Sequence, residues 1–215
     1  MSRVGDMSGK DVLIRDFRKS DLDDLLELLP KCFAEEFEIS GFDSGHIREM
    51  VGRAYGVTGT LFLGASHLVG KDPIRFFVAG VENKVVGTAL VNRDGRVGYV
   101  STVMVAPEHR GKGIATNLVK SAVEHIRKAR MERAVLHVVT TNAPAIGVYS
   151  KIGFGTFERI AYLVGDAGSL RPKAGSGEIE TRPYKGADLH DAADLYVASE
   201  ERSHLKVFGF DRNQL

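Results

Sequence analysis

The spacing of apolar residues changes several times along the chain, and each change predicts an element. Residues 12–17 (Val-Leu-Ile-Arg-Asp-Phe) predict a strand. After Ser20, an acidic and leucine-rich segment from Asp21 predicts a helix that Pro30 closes. Ile47, Met50, Val51 and Ala54 fall at helical spacing and predict a second helix over 44–55. Three apolar runs, 74–81, 84–92 and 97–105, are separated by Glu82-Asn83 and by Arg93-Asp94-Gly95. They predict an antiparallel meander with tight turns. Beyond Pro107 an amphipathic helix is predicted to about residue 130, its apolar face being Ile114, Leu118, Ala122, Ile126 and Ala129. A strand over 135–139, a short helix over 142–152 with Pro144 in its first turn, and a strand over 154–164 follow. Residues 165–177, rich in Gly, Ser and Pro, predict a linker.

Beyond the linker the pattern of the first helix returns. Residues 181–196 align without gaps on 14–29, pairing Arg15 with Arg182, Asp21 with Asp188, Leu22 with Leu189, Asp24 with Asp191 and Leu28 with Leu195. Either this is an internal repeat, or two strand–polar turn–acidic helix starts resemble one another for local reasons.

Composition narrows the class. At 215 residues, with 43% hydrophobic and 27% charged content, the chain has material for a globular core. Its 29 basic and 28 acidic residues leave +1, which argues against a dedicated nucleic-acid binder. One cysteine, Cys32, excludes an internal disulfide and fits a reducing, cytoplasmic setting. No apolar run approaches the roughly 18 residues that span a bilayer, and the polar start argues against a secretory leader. Glycine is the one skew, with 24 residues.

That skew points to residues 103–118, where a strand ends at Pro107, a loop turns through Gly111 and Gly113, and a helix begins. Successive amides at Gly111, Lys112, Gly113 and Ile114 suit a pyrophosphate, helped by the helix dipole and the charges of Arg110 and Lys112. Two nucleotide motifs fail here. A P-loop needs Gly at 106 and Ser/Thr at 113, where Ala and Gly stand; the dinucleotide fingerprint needs Gly at 116, where Thr stands.

Arg110-Gly-Lys-Gly113-Ile-Ala115, preceded by Val105-Ala-Pro107, resembles the signature of the GNAT superfamily of acyl-CoA-dependent N-acyltransferases. Asn142-Ala-Pro-Ala-Ile-Gly-Val-Tyr149 through Phe154 resembles a second feature of that family at a fitting distance. The resemblance covers about residues 11–165 and implies an α/β (α+β) fold with a mixed, mostly antiparallel sheet flanked by helices. It also implies acetyl-CoA as co-substrate, with no metal. Backbone groups of Val103, Met104 and Val105 would pair with the pantetheine arm, Arg110, Gly111, Lys112, Gly113, Ile114 and Ala115 would hold the pyrophosphate, and Asn142 would bond the pantetheine. Tyr149 would stand beside the sulfur as general acid, and the Val105 amide would meet the oxyanion.

The general base departs from the family pattern. Serine, Ser101, occupies the strand position where many members carry glutamate, and it can hold no more than a relay water. Some ribosomal-protein acetyltransferases use a glutamate twelve residues before the tyrosine; His137 stands there, and an uncharged imidazole is a competent base. Cys32, with no visible His or Asp partner, reads as structural, and His109 as a phosphate neighbour.

Charge is uneven: residues 11–43 hold ten acids and four bases, whereas 107–133 hold seven Lys/Arg and three Glu. If the first helices border the acceptor cleft, as in the family, an acidic rim favours a cationic amine such as a basic peptide end, a lysine or a polyamine. The expected domains are an acetyltransferase unit over 11–165, a linker over 166–177, and a strand–helix extension over 178–215. The extension either completes the first sheet or begins a truncated second unit. The partners are acetyl-CoA and an amine, with neither nucleic acid nor membrane; a homodimer stays open. Transfer to a primary amine competes with acyl-CoA binding without turnover.

Overall fold

The computed structural model describes residues 2–5, 11–33, 74–161, 182–183 and 185–199. The helix expected over 44–55 and the linker at 165–177 lie outside the described residues. The chain divides into two compact units, Met1–Phe154 and Gly155–Leu215.

The first unit is built on a six-stranded sheet in chain order: β1 (Ser2–Gly5), β2 (Asp11–Asp16), β3 (Ile74–Val81), β4 (Lys84–Asp94), β5 (Val97–Val105) and β6 (Arg133–Val135). Neighbours pair antiparallel except β5 and β6, which are parallel. The meander is as the apolar runs predict, with β4 two residues longer. Glu82 and Asn83 close the β3–β4 hairpin with φ of 50° and 69°, the positive values a two-residue turn needs to match strand twist. Three expectations are corrected. The polar amino terminus supplies β1, because pairing with β2 satisfies backbone groups regardless of side-chain polarity. The strand expected over 135–139 is β6 and ends at Val135. The strand expected from 154 has no ladder partner over the described residues 154–161, and Ile160 is exposed there.

Helix α1 (Leu22–Cys32) buries Leu25, Leu26 and Leu28 and contacts β4 and β5. Pro30 does not close it: the helix runs on to Cys32, where the Phe33 amide bonds to the Leu29 carbonyl. Proline forfeits only its own backward bond in a last turn, and its fixed φ suits the helix. Helix α2 (Ile114–Lys128) lays Ile114, Leu118, Val119, Ala122 and Ile126 into the core against β3, β4 and β5. Helix α3 (Ala143–Ile152) packs on α2.

The junction of β2 and α1 is held by one ion pair. Arg15 donates twice to the Asp21 carboxylate, at 2.6 and 2.8 Å, and the Arg18 amide donates to it at 2.7 Å. Asp21 is 5% exposed. Burial works to raise its carboxyl, but the bonds from Arg15 and Arg18 outweigh it and hold the group below the ordinary 3.8. A depressed folded-state pKa gives stability that is complete above the unfolded value and lost as pH falls through the folded one. Asp21→Asn is therefore expected to cost about 2–4 kcal/mol in urea unfolding at pH 7, and less below pH 3. A variant equally destabilised at both pH values contradicts this account.

The second unit repeats this junction 167 residues later. Arg182 donates twice to Asp188, at 2.7 and 2.6 Å, and the Lys185 amide donates to it at 2.8 Å. A three-residue 3-10 turn leads into an eleven-residue helix in both places: Lys19–Asp21 into α1, and Gly186–Asp188 into α4 (Leu189–Ser199). Arg182, Pro183 and Lys185 are not in a strand, and positions 178–181 and 184 of the expected tail strand lie outside the described residues.

Candidate active site

Strand β5 is broken in a particular way. Its ladder with β4 pairs Ser101 with Leu90 and Met104 with Thr88, so Thr102 and Val103 both stand against Ala89. Such a bulge bends and twists its strand. Thr102 has φ of +50°, a rare value for a β-branched residue that costs roughly 1–3 kcal/mol and persists where the surroundings enforce it. On its other side β5 pairs with β6 only from Val97 to Tyr99. Among the described residues no strand pairs with that edge over Thr102–Val105, and an unpaired edge invites an extended ligand. The β5–β6 ladder ends at the Tyr99–Val135 pair, ahead of this bulge.

Past the edge the chain enters the glycine loop. Ala106 anchors it by donating to the Val86 carbonyl at 2.8 Å, and Pro107–His109 forms a 3-10 turn. Gly111 and Gly113 have φ of +76° and +78°, which fits two glycines where a single turn must reverse. The first backward bond of α2 runs from the Asn117 amide to the Gly113 carbonyl, so the amides of Ile114, Ala115 and Thr116 have no intrahelical acceptor. The first turn of α2 carries no acidic side chain to neutralise the helix dipole, while its last turn holds His125, Arg127 and Lys128. An anion placed at this end of the helix would be stabilised.

Edge and loop are tied at one atom. The Val105 carbonyl accepts from Arg110 Nε at 3.1 Å and from Cys32 Sγ at 3.5 Å. Arg110, expected to help hold the pyrophosphate, also braces the strand end. Burial raises the Cys32 thiol above the ordinary 9.0 despite Arg110 close by, so it stays protonated and donates. Its structural reading stands, now with a partner.

Helix α3 carries two of the expected residues. Asn142 is its N-cap, with Oδ1 accepting from the Ala145 amide at 3.2 Å; its amide N–H groups are what it retains for a ligand. Tyr149 is 9% exposed, its ring edge-on to Phe154 at 6.0 Å, and burial raises its phenol above 10.0. Its carbonyl accepts from the Gly153 and Phe154 amides, which fixes the helix end beneath the side chain. His137 lies beyond β6, exposed, with its ring 6.2 Å from that of Tyr99 on β5. Ser101 accepts from Asn92 Nδ2 at 3.2 Å. Val103, Met104, Val105 and the loop Arg110–Ala115 thus form one continuous stretch, while His137 belongs to a separate, solvent-facing segment.

Two cavities are lined by neighbouring residues. One, of 210 Å³, is lined by α1, the β3–β4 turn and Glu108-His109; the other, of 960 Å³, runs between β2, β3 and the outer side of α2. Neither is lined by Tyr149 or the loop glycines. Among the described residues no helix is long and apolar enough to cross a membrane.

The stretch that holds this strand edge and the glycine-built helix start lies within residues 22–154, which match the model of the acetyltransferase (GNAT) family. The chain belongs to this family. It is 40% identical over 97 residues to a mycothiol acetyltransferase of Saccharomonospora viridis, covering 40% of this chain and 32% of that protein. It is 27% identical over 159 residues to an N-alpha-acetyltransferase of Saccharolobus solfataricus, covering 68% of this chain and 81% of that one. The fold matches PaiA N-acetyltransferase of Thermoplasma acidophilum, solved with coenzyme A, at a TM-score of 0.50 and 19% identity over 67% of this chain and 89% of that one. The chain thus spans about a third of the mycothiol acetyltransferase. Within the GNAT fold, the mixed sheet and its helices are those that the resemblance implies.

Proposed function

We propose that the chain is an N-acetyltransferase that moves the acetyl group of acetyl-CoA directly to a primary amine in a ternary complex. One observation carries the reading: the bulged end of β5, unpaired on its β6 side, leads through the glycine loop to the amides at the start of α2. An extended pantetheine arm fits the first and a pyrophosphate the second. Names of relatives support the chemistry: an N-alpha-acetyltransferase and a mycothiol acetyltransferase both acetylate, and the Thermoplasma protein holds coenzyme A.

In the proposed step the amine, having lost its proton, attacks the thioester carbonyl carbon. A C–N bond forms and the carbonyl electrons move to oxygen, where the Val105 amide meets them. The C–S bond then breaks, and the departing thiolate takes the Tyr149 proton. His137 takes the ammonium proton before attack, directly or through water, solvent takes the second proton from the nitrogen as the adduct collapses, and solvent returns one to Tyr149. The products are an acetamide and free CoA. Ser101, hydrogen-bonded to Asn92, is no base, and this favours the second reading, acyl-CoA binding without turnover.

The acceptor is read as cationic. Asp16, Asp21 and Asp24 serve the fold, pairing with Arg75, Arg15 and the Val85 amide. Asp23 and Glu27 remain at the surface of α1. With Asp11, Glu35, Glu36, Glu38 and Asp43 they complete the ten acids, against four bases, of residues 11–43, and the cationic reading rests on that excess. In a panel of amines, basic peptides, lysine and spermidine are expected to react with kcat/KM at least about tenfold above neutral amines, the advantage shrinking with added salt. Preference for neutral or acidic amines contradicts this. A cytoplasmic setting, from the single cysteine, and Arg182–Ser199 as the opening of a second GNAT-like unit belong to the same proposal. The repeated Arg–Asp junction supports the latter.

A further inference from the structure

We infer that Thr88, on β4, is a positioning residue that holds the cofactor edge of β5 in its bent form; this rests on the reading of that edge as the seat of the cofactor arm. Thr88 is 0% exposed, and its hydroxyl donates to the Thr102 carbonyl at 2.8 Å. Thr102 is the residue with the strained φ of +50°, and it shares with Val103 a single opposing position, Ala89. The strain favours return to extended backbone, which would realign residues 102–105 with β4 and turn their amides and carbonyls. The hydroxyl opposes this by bonding the carbonyl that would have to move. Packing alone does not call for it, since the run Val85-Val-Gly-Thr88-Ala-Leu-Val91 is otherwise apolar and a valine would fill the same space. In an apolar interior the bond is also the only way to satisfy that hydroxyl cheaply.

Thr88→Val keeps the shape and removes the donor. It is expected to raise both the calorimetric Kd for CoA and the KM for acetyl-CoA about tenfold, with the acceptor KM changing less than about twofold. Thr88→Ser keeps the donor and retains wild-type affinity. The deciding variant is Thr88→Val combined with Thr102→Gly: glycine takes a positive φ without strain, so the bend survives unlatched and affinity returns. Thr88→Val binding CoA as tightly as wild type overturns the inference, and so does a weakened Thr88→Val that Thr102→Gly leaves unrestored, the signature of a packing role. Should Thr88→Val fail to fold, Thr88→Cys, of similar bulk and weaker as a donor, is expected to weaken CoA binding several-fold, and unchanged binding overturns the inference equally. Wild-type protein that binds no CoA overturns the underlying reading instead, so the two failures are distinct.

Discussion

Tyr149→Phe is expected to lower kcat for amine acetylation by about 10²–10⁴-fold, the range for losing a positioned general acid, while the Kd for CoA stays within about twofold. The substitution removes one oxygen and leaves the ring, so the edge-on contact with Phe154 and the bonds that close α3 remain. Burial raises the phenol above 10.0, so Tyr149 keeps its proton through the neutral range. The sign follows: as pH rises toward 9 the rate increases because more acceptor amine is uncharged, and any loss of the acid falls above 10.0. A Tyr149→Phe enzyme with near wild-type kcat contradicts the acid role, and one that also loses CoA binding makes the residue structural.

Gly113→Val is expected to weaken CoA binding by about 10²-fold, the equivalent of one or two charge-assisted hydrogen bonds. A side chain at Gly113 meets open space, so the damage is conformational and not steric. At φ of +78° a β-branched residue is strongly disfavoured, and the turn relaxes by rotating the amides that follow it. Thermal stability falls little, because Gly113 lies outside the core. The wild-type Kd should rise with ionic strength and the variant's less so, since the lost interactions are those with phosphate. CoA binding at wild-type strength in Gly113→Val would place the cofactor somewhere other than this loop.

How much of this the sequence reveals depends on the kind of interaction. The glycine loop and α2 are legible because both rest on local rules: helical spacing of Ile114, Leu118, Ala122 and Ile126, and glycines where φ turns positive. The meander is legible for the same reason. Strand ends are less so, because pairing depends on a neighbour. Val139 is 58% exposed although its segment reads as strand: the ladder with β5 ends at Tyr99, and β5 itself bends at Thr102. Nothing local to residues 135–139 announces that bend. The latch at Thr88 hides similarly: a lone threonine in an apolar run is the signal, but its partner lies fourteen residues on, across a hairpin. Cys32 is harder still, as its acceptor is 73 residues away. The repeat of the β2–α1 junction shows in five matched positions, and its two recurring Arg–Asp bonds show which of those matches the local geometry uses.

The most direct test of catalysis is thiol release from acetyl-CoA with and without amine, the acetylated product being counted by mass spectrometry in the same reaction. Catalysis predicts release that depends on the amine, one acetamide for each thiol, with Tyr149→Phe losing both together. Tight CoA binding with no amine-dependent thiol release from any of the basic peptides, lysine or spermidine would contradict it and leave a protein that holds acyl-CoA without using it.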